Sequence, residues 1–317
     1  FRLWDRFYGT LDWYQTNTDD VAWNAPISYA MSGQTTLAAN SARMRTRGFE
    51  LELGVDIIKT PNTLWSFNVN GSTYYTTILE VPEGTGSAQL NGCWTAPADA
   101  WSIAGTGGTS NNITYLRGIG KPYYNMYIYK YGGVDPASGL PLIASTVSST
   151  NIDNLKKTSG NVYGDIVEGN TVYTTDYTLA TRQEFGDATP DFIGGFGTSL
   201  KWKNLDFSAQ FAFQIGGKFL SVADANHYYR SDQTGYYHMS ADLKGNTFTA
   251  SNTGARYPMV ILNNPNSNGY TGGSTIGSWA YTDMALYSAS YLNVKNLTLG
   301  YNFPQKWMDK IGIGGIR

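Results

Sequence analysis

The sequence predicts an all-β fold: a segment of an antiparallel transmembrane β-barrel, about nine strands of an expected 22-stranded wall, with long extracellular loops. Three observations predict it. Apolar and polar residues alternate with period two over runs that approach the length of a tilted bilayer span. Short and long connections alternate along the chain. Charged residues make up 15% of the 317 positions against about 25% in a typical soluble domain, while aromatics also reach 15% and 36 residues are glycine.

The strands follow in order. Phe7, Gly9, Leu11 and Trp13 share one face against Tyr8, Thr10, Asp12 and Tyr14. Phe49, Leu51, Leu53, Val55 and Ile57 oppose Glu50, Glu52, Gly54 and Asp56, and a turn at 59–62 leads into Trp65, Phe67 and Val69. Shorter strands are predicted around Tyr115–Gly118 and Tyr123–Tyr131. The clearest hairpin joins Phe196–Trp202 to Leu205–Ile215 through Lys203-Asn204. Leu292 and Val294 then share one phase and Leu297, Leu299 and Tyr301 the other, which predicts a bulge near Lys295-Asn296. A last strand is expected to begin just before Arg317.

The connections sort by length. Short ones are read at 59–62, 120–122, 203–204 and 302–310, and long polar ones at about 18–42, 78–112, 132–190 and 218–284. In an antiparallel sheet alternate connections fall at opposite ends, so all short turns lie on one side and all long loops on the other, as in outer-membrane barrels. Aromatics gather near strand ends, where an interfacial girdle would sit: Trp4, Phe7, Trp13, Tyr14, Trp65, Tyr74, Tyr75, Trp202, Tyr301, Phe303 and Trp307.

Composition narrows the chemistry. A net charge of −2 gives no electrostatic footprint for nucleic acid. The single Cys93 allows neither an intrachain disulfide nor a thiolate zinc cluster. No run of about 18 apolar residues occurs, which excludes a transmembrane helix but not a barrel. The chain starts at Phe1 without a signal-peptide pattern and reads as an internal piece of a longer protein. An open edge in lipid would leave backbone groups unpaired, so further strands are expected to complete the wall.

Four segments, in this order, carry a family resemblance. Asn40–Leu53, with Arg47-Gly48-Phe49-Glu50 at its centre, resembles the strand-opening pattern N-x-G-x-x-x-N-x-G-hydrophobic-E of SusC-like (RagA-like) TonB-dependent transporters; Ala42 departs from it. Tyr131–Pro141 is similar to their A-G-V-D-P-x-T-G-x-P loop, Gly186–Phe196 to G-N-A-x-P-x-x-x-G-G, and Tyr291–Pro304 to Y-L-R-L-K-N-x-T-L-G-Y-x-L-P. The resemblance implies that residues 1–317 are the C-terminal portion of the barrel, with the N-terminal plug and last strands outside this chain. It also implies an outer-membrane importer of Bacteroidetes. Its partners would be a SusD-like surface lipoprotein, TonB acting through the absent N-terminal region, membrane lipid, and an oligosaccharide or peptide substrate. No cofactor is implied.

Candidate sites are few. Glu50 and Glu52 lie about 7 Å apart on one strand face and read as lumenal charges before an acid–base pair. His227 and His238 have no metal-ligand spacing. Asp135 and Ser138 read as a turn. No hydrolase, metalloprotease or phosphate-loop motif is present, so an enzyme is not expected. The substrate-binding candidates are aromatics in the long connections, Trp23, Tyr29, Trp94, Trp101, Tyr228, Tyr229, Tyr236 and Tyr237, whose rings can stack on sugars or pack the loops together. Two rival readings are a surface carbohydrate-binding β protein without a channel and a secreted glycoside hydrolase.

Overall fold

A computed structural model describes residues 1–86, 90–97, 114–146, 165–168, 171–175, 179–221, 223–225, 240–260 and 282–317. The strands are β1 (Arg2–Leu3), β2 (Phe7–Pro26), β3 (Thr36–Thr60), β4 (Thr63–Glu80), β5 (Trp94–Pro97), β6 (Thr114–Arg117), β7 (Asn125–Tyr129), β8 (Tyr131–Val134), β9 (Pro141–Ser145), β10 (Asp165–Glu168), β11 (Thr171–Thr174), β12 (Arg182–Asp187), β13 (Phe192–Trp202), β14 (Leu205–Ile215), β15 (Lys218–Leu220), β16 (Leu286–Ser288) and β17 (Tyr291–Tyr301). One antiparallel sheet of seven strands, β1-β2-β3-β4-β13-β14-β17, forms the wall.

Its register shows why alternation was so legible. Reading across the wall, Leu11, Leu51, Gly71, Gly194, Phe213 and Leu292 stand in one row. The next row on the same face is Gly9, Leu53, Val69, Phe196, Phe211 and Val294, followed by Phe7, Val55, Phe67, Thr198, Ala209 and Leu297. These rows make a continuous apolar face. It is not a protein core: Leu292, Val294, Leu297 and Leu299 are 57–71% exposed, and Leu51, Leu53, Phe211 and Phe213 are all only half-buried. Apolar surface of this extent, open to its surroundings, belongs against lipid. The hydroxyl of Thr198, which falls within this face, donates to the Ser66 carbonyl (3.2 Å) and accepts from the Trp65 indole (2.9 Å), so it presents no unsatisfied polar group.

The predicted bulge lies at a single residue. Gln210 faces Asn296 and Phe211 faces Val294, which leaves Lys295 as the extra residue that switches the phase of β17. Short turns at 61–62 and 203–204 lie at one end of the sheet, and the chain leaves the other end through the long connections.

Several expectations are corrected. β2 and β3 run to 20 and 25 residues, about twice the 9–11 that a tilted span needs, so most of the loop read at 18–42 is a hairpin continuing beyond the membrane. Outside the hydrocarbon both faces meet polar surroundings, so Thr16-Asn17-Thr18-Asp19-Asp20 carries no alternation; Thr16 to Thr18 stay in the ladder opposite Met44 to Thr46, and the register shifts across Asp19-Asp20. The segments at Tyr115 and Tyr123 do not join the wall. They form β6 and β7 of a separate sheet, β12-β7-β6-β5, and a further sheet, β10-β11-β9-β8, occupies the connection read as a loop at 132–190. The wall therefore has seven strands, not nine, among the described residues. Residues 305–311 are helical, and the Arg317 guanidinium pairs with Asp206. Tyr14 and Tyr74 flank Gly48 on the polar face and are not part of the girdle.

The close-packed core sits in these outer sheets. Ile128, Ile143, Leu220, Ala225, Leu243, Tyr257 and Ala285 form one buried cluster, with Tyr131 and Phe185 packed against it. The Tyr131–Pro141 loop supports it as a tight turn. Asp135 accepts from the Ala137 N–H (3.1 Å) and from the Ser138 hydroxyl, while the Gly139 N–H returns to the Asp135 carbonyl (2.8 Å). Burial raises the Tyr131 phenol far above its ordinary value.

Candidate functional site

The face of the wall opposite the apolar rows is polar from one turn to the other. Asp12, Glu50, Ser72, Ile193, Gln214 and Tyr291 form one row, and Thr10, Glu52, Asn70, Gly195, Ala212 and Asn293 the next. Much of both rows lines a cavity of roughly 620 Å³. Asp12 stands directly opposite Glu50, and Glu52 lies one row away on the same face. Like charges placed face to face across a ladder are destabilising. None of these three carboxylates meets a lysine or arginine within ion-pair distance among the described residues. The cavity therefore presents a negative, hydrogen-bond-rich wall. Asn70 is oriented by its side-chain oxygen, which accepts from the Gly195 N–H (2.9 Å). Two tyrosines cover glycines on this face, Tyr8 over Gly54 and Tyr14 over Gly48, where any Cβ would collide with the ring.

A second polar network braces the β12-β7-β6-β5 sheet and the connection between β6 and β7. Lys121 bridges both oxygens of Glu184 (2.8 Å each), and Asn125 donates to the same carboxylate (2.8 Å). Burial opposes ionisation of Glu184, but the bonds from Lys121 and Asn125 outweigh it and hold the carboxyl below its ordinary value. The same hydrogen bond raises Lys121. Arg117 lies over the Tyr123 ring at 3.9 Å and within 5.7 Å of the Tyr115 ring, with its Nε donating to the Tyr123 carbonyl (3.1 Å). These contacts pin the loops to the wall, where the Lys121 carbonyl accepts from Ile78 (3.1 Å) and Gly120 donates back to it (2.9 Å).

The predicted aromatics separate. Trp23 lies on β2 and is 8% exposed, packed with Ala42 and Ile78 and against Tyr123, so its ring holds a loop to the hairpin. Tyr29, at the tip of the same hairpin, is 68% exposed and open to a partner. Trp94 is on β5, opposite Arg117 in the register. Trp101, Tyr228, Tyr229, Tyr236 and Tyr237, with His227 and His238, lie outside the described residues. Among the described residues no group of three metal-ligating side chains converges. The lumenal carboxylates were visible in the sequence one strand at a time. Their convergence was not, because Asp12 and Glu50 are 38 positions apart and meet only through the register.

No family model matches the chain. In sequence it is similar to the TonB-dependent receptor P3 of Formosa agariphila, at 24% identity over 308 residues covering 97% of this chain and 26% of that protein. It is also similar to the TonB-dependent receptor SusC of Bacteroides thetaiotaomicron, at 22% identity over 316 residues covering 98% of this chain and 26% of that protein. In structure it matches the RagAB peptide transporter with a TM-score of 0.66 at 20% identity, covering 98% of this chain and 28% of that one. The chain thus spans about a quarter of the length of these relatives. The resemblance to TonB-dependent receptors rests on sequence and fold together, and the seven-stranded sheet matches the RagAB transporter in fold.

Proposed function

We propose that this wall belongs to the channel subunit of a SusCD-type importer, in which a SusD-like lipoprotein covers the outer loops and TonB supplies force through a plug outside this chain. One observation carries the reading: a single sheet turns an exposed apolar face to one side and a polar, carboxylate-lined cavity to the other. A carbohydrate-binding β protein without a channel has no use for the exposed apolar face, which would have to be hidden between two sheets.

The cavity wall narrows the cargo. Sugar hydroxyls and peptide amides can both bond to Asp12, Glu50, Glu52, Asn70 and Gln214. A strongly anionic chain would be repelled by the three carboxylates. We read the cargo as an oligosaccharide, or alternatively a peptide, that passes this face as a neutral or positively charged group. The test is uptake by cells whose only copy of the full-length transporter carries Asp12→Asn, Glu50→Gln and Glu52→Gln. Uptake of a neutral oligomer should fall several-fold while the protein stays at wild-type level in the outer membrane. Unchanged uptake would show that cargo does not touch this face, and recovery of the wild-type protein in the detergent-free soluble fraction would end the channel reading.

A further inference from the structure

The apolar face ends upward, toward the long-loop end, at the row Trp13, Phe49 and Thr73. One row higher on that outer face Arg47 stands between Gln15 and Tyr75, and one row higher again Arg45 stands between Asn17 and Thr77. At about 3.3 Å per residue and a tilt near 40°, the two arginines sit roughly 5 and 10 Å above the aromatic row. That is headgroup depth, not bulk water and not the cavity.

The local bonding leaves their charge available. Arg47 uses Nε to bond the Gln15 side-chain oxygen (2.9 Å), and Arg45 uses Nε to bond that of Asn17 (3.0 Å). Both partners are neutral, so each guanidinium is oriented without being cancelled. Arg43, farther out, differs: it is held by Glu80 (3.3 Å) and Asp19 (3.8 Å). Among the described residues no carboxylate pairs with Arg45 or Arg47, and the nearest acids lower on these strands, Asp12 and Glu50, face the lumen. The Tyr75 ring beside Arg47 is 49% exposed and suits the interface between acyl chains and headgroups.

We propose that Arg45 and Arg47 form a docking site for the phosphate of a glycolipid in the outer leaflet of the surrounding membrane. A guanidinium with Nε already fixed offers its terminal N–H groups as a fork that matches a phosphate. Two such forks on one strand face, about 7 Å apart, can share one headgroup or take two neighbouring ones. The inference rests on the barrel-wall reading, because only there does this face meet lipid.

The test uses the full-length transporter extracted from outer membranes and placed in mixed micelles containing either a bis-phosphorylated glucosamine-disaccharide lipid or the same lipid stripped of phosphate. Each basic residue near an anionic surface contributes about fivefold, so the wild-type protein should retain the phosphorylated lipid roughly tenfold or more over the stripped one. The preference should shrink as salt is raised, a measurement that needs no variant. Arg45→Gln with Arg47→Gln should reduce it to about twofold or less, Arg45→Lys with Arg47→Lys should keep a substantial part of it, and Arg43→Gln should leave it intact. Equal retention of the two lipids by the wild-type protein, or an undiminished preference in the double glutamine variant, overturns the proposal. If the wall reading itself were wrong, the wild-type protein would leave the membrane without detergent and retain neither lipid, a distinct result.

Discussion

Leu297→Arg separates a lipid-facing wall from a water-facing one. Leu297 shares a row with Phe67, Thr198 and Ala209 and is 66% exposed. The apolar face runs from Trp202 up to Phe192 on β13, ten residue steps, which at about 3.3 Å per residue and a tilt near 40° is about 25 Å, the height of a barrel's apolar band. Thr198 lies four steps above Trp202, so this row is about 10 Å inside the band, close to its middle. On a water-exposed surface a leucine so open could become arginine for about ±0.5 kcal/mol. In lipid the same change costs about 2–4 kcal/mol near the midplane and about 0–1 at the interface. The folded-to-unfolded ratio should therefore fall roughly thirty- to several-hundred-fold for Leu297→Arg. Trp202→Arg, at the rim, should change it little, and Asn296→Arg, on the lumenal face of the same strand, should also be mild. The assay is denaturant unfolding of the full-length protein refolded into lipid vesicles, read by tryptophan fluorescence and heat-dependent gel mobility. A Leu297→Arg protein within 0.5 kcal/mol of wild type, or an equal cost at Asn296, would refute the orientation.

Other consequences are as specific. Asp283 accepts the Tyr131 N–H (2.7 Å), yet burial outweighs that bond and raises its carboxyl above the ordinary value. A raised acid binds its proton more tightly folded than unfolded, so it favours folding as pH falls toward the unfolded value and opposes it at neutral pH. Asp283→Asn keeps an acceptor and should stabilise the outer sheets at neutral pH while flattening this pH dependence, as followed by hydrogen exchange of β7–β9. Lys121 and Glu184 work in the opposite sense: the lowered acid contributes stability above its unfolded value that is lost as pH falls through its folded one, and the raised lysine contributes stability that is lost only at alkaline pH. Because both side chains are more than a third exposed, Glu184→Gln should cost no more than about 1 kcal/mol and shift the acid limb of loop protection. Asp135→Ala removes the acceptor for Ala137 and Ser138 and should destabilise the same core by about 1–2 kcal/mol in proteolysis of the outer sheets.

The wall was legible because lipid on one side and water on the other impose a strict period of two, which Phe49 to Val55 and Leu205 to Ile215 obey residue by residue. Even the phase slip at Lys295 left its mark, since the apolar set had to return to the lipid side. Above the membrane that constraint ends. Thr36 to Met44 forms a strand with no alternation to betray it, and β8 to β12 are four to six residues each, too short for a periodic signal. The aromatic girdle was half legible for a related reason. Alternation puts Trp13 and its neighbour Tyr14 on opposite faces, but only the register shows that Tyr14 covers Gly48. The site residues Trp23 and Tyr29, six positions apart, end in opposite circumstances because one meets the Ile78 cluster and the other the open tip of the hairpin.

The close-packed cluster around Ile143 and Tyr257 belongs to the outer sheets, whereas the wall hides little apolar surface within itself. Heating should consequently register the two regions differently. Disrupting the outer cluster releases apolar side chains into water and carries a positive heat-capacity step, with weakened stability in the cold as well as at high temperature. Opening the wall while it stays in a bilayer leaves its apolar rows in hydrocarbon and carries little of that step. A calorimeter would thus find the ordinary thermodynamics of a water-soluble protein only in the part that stands clear of the membrane.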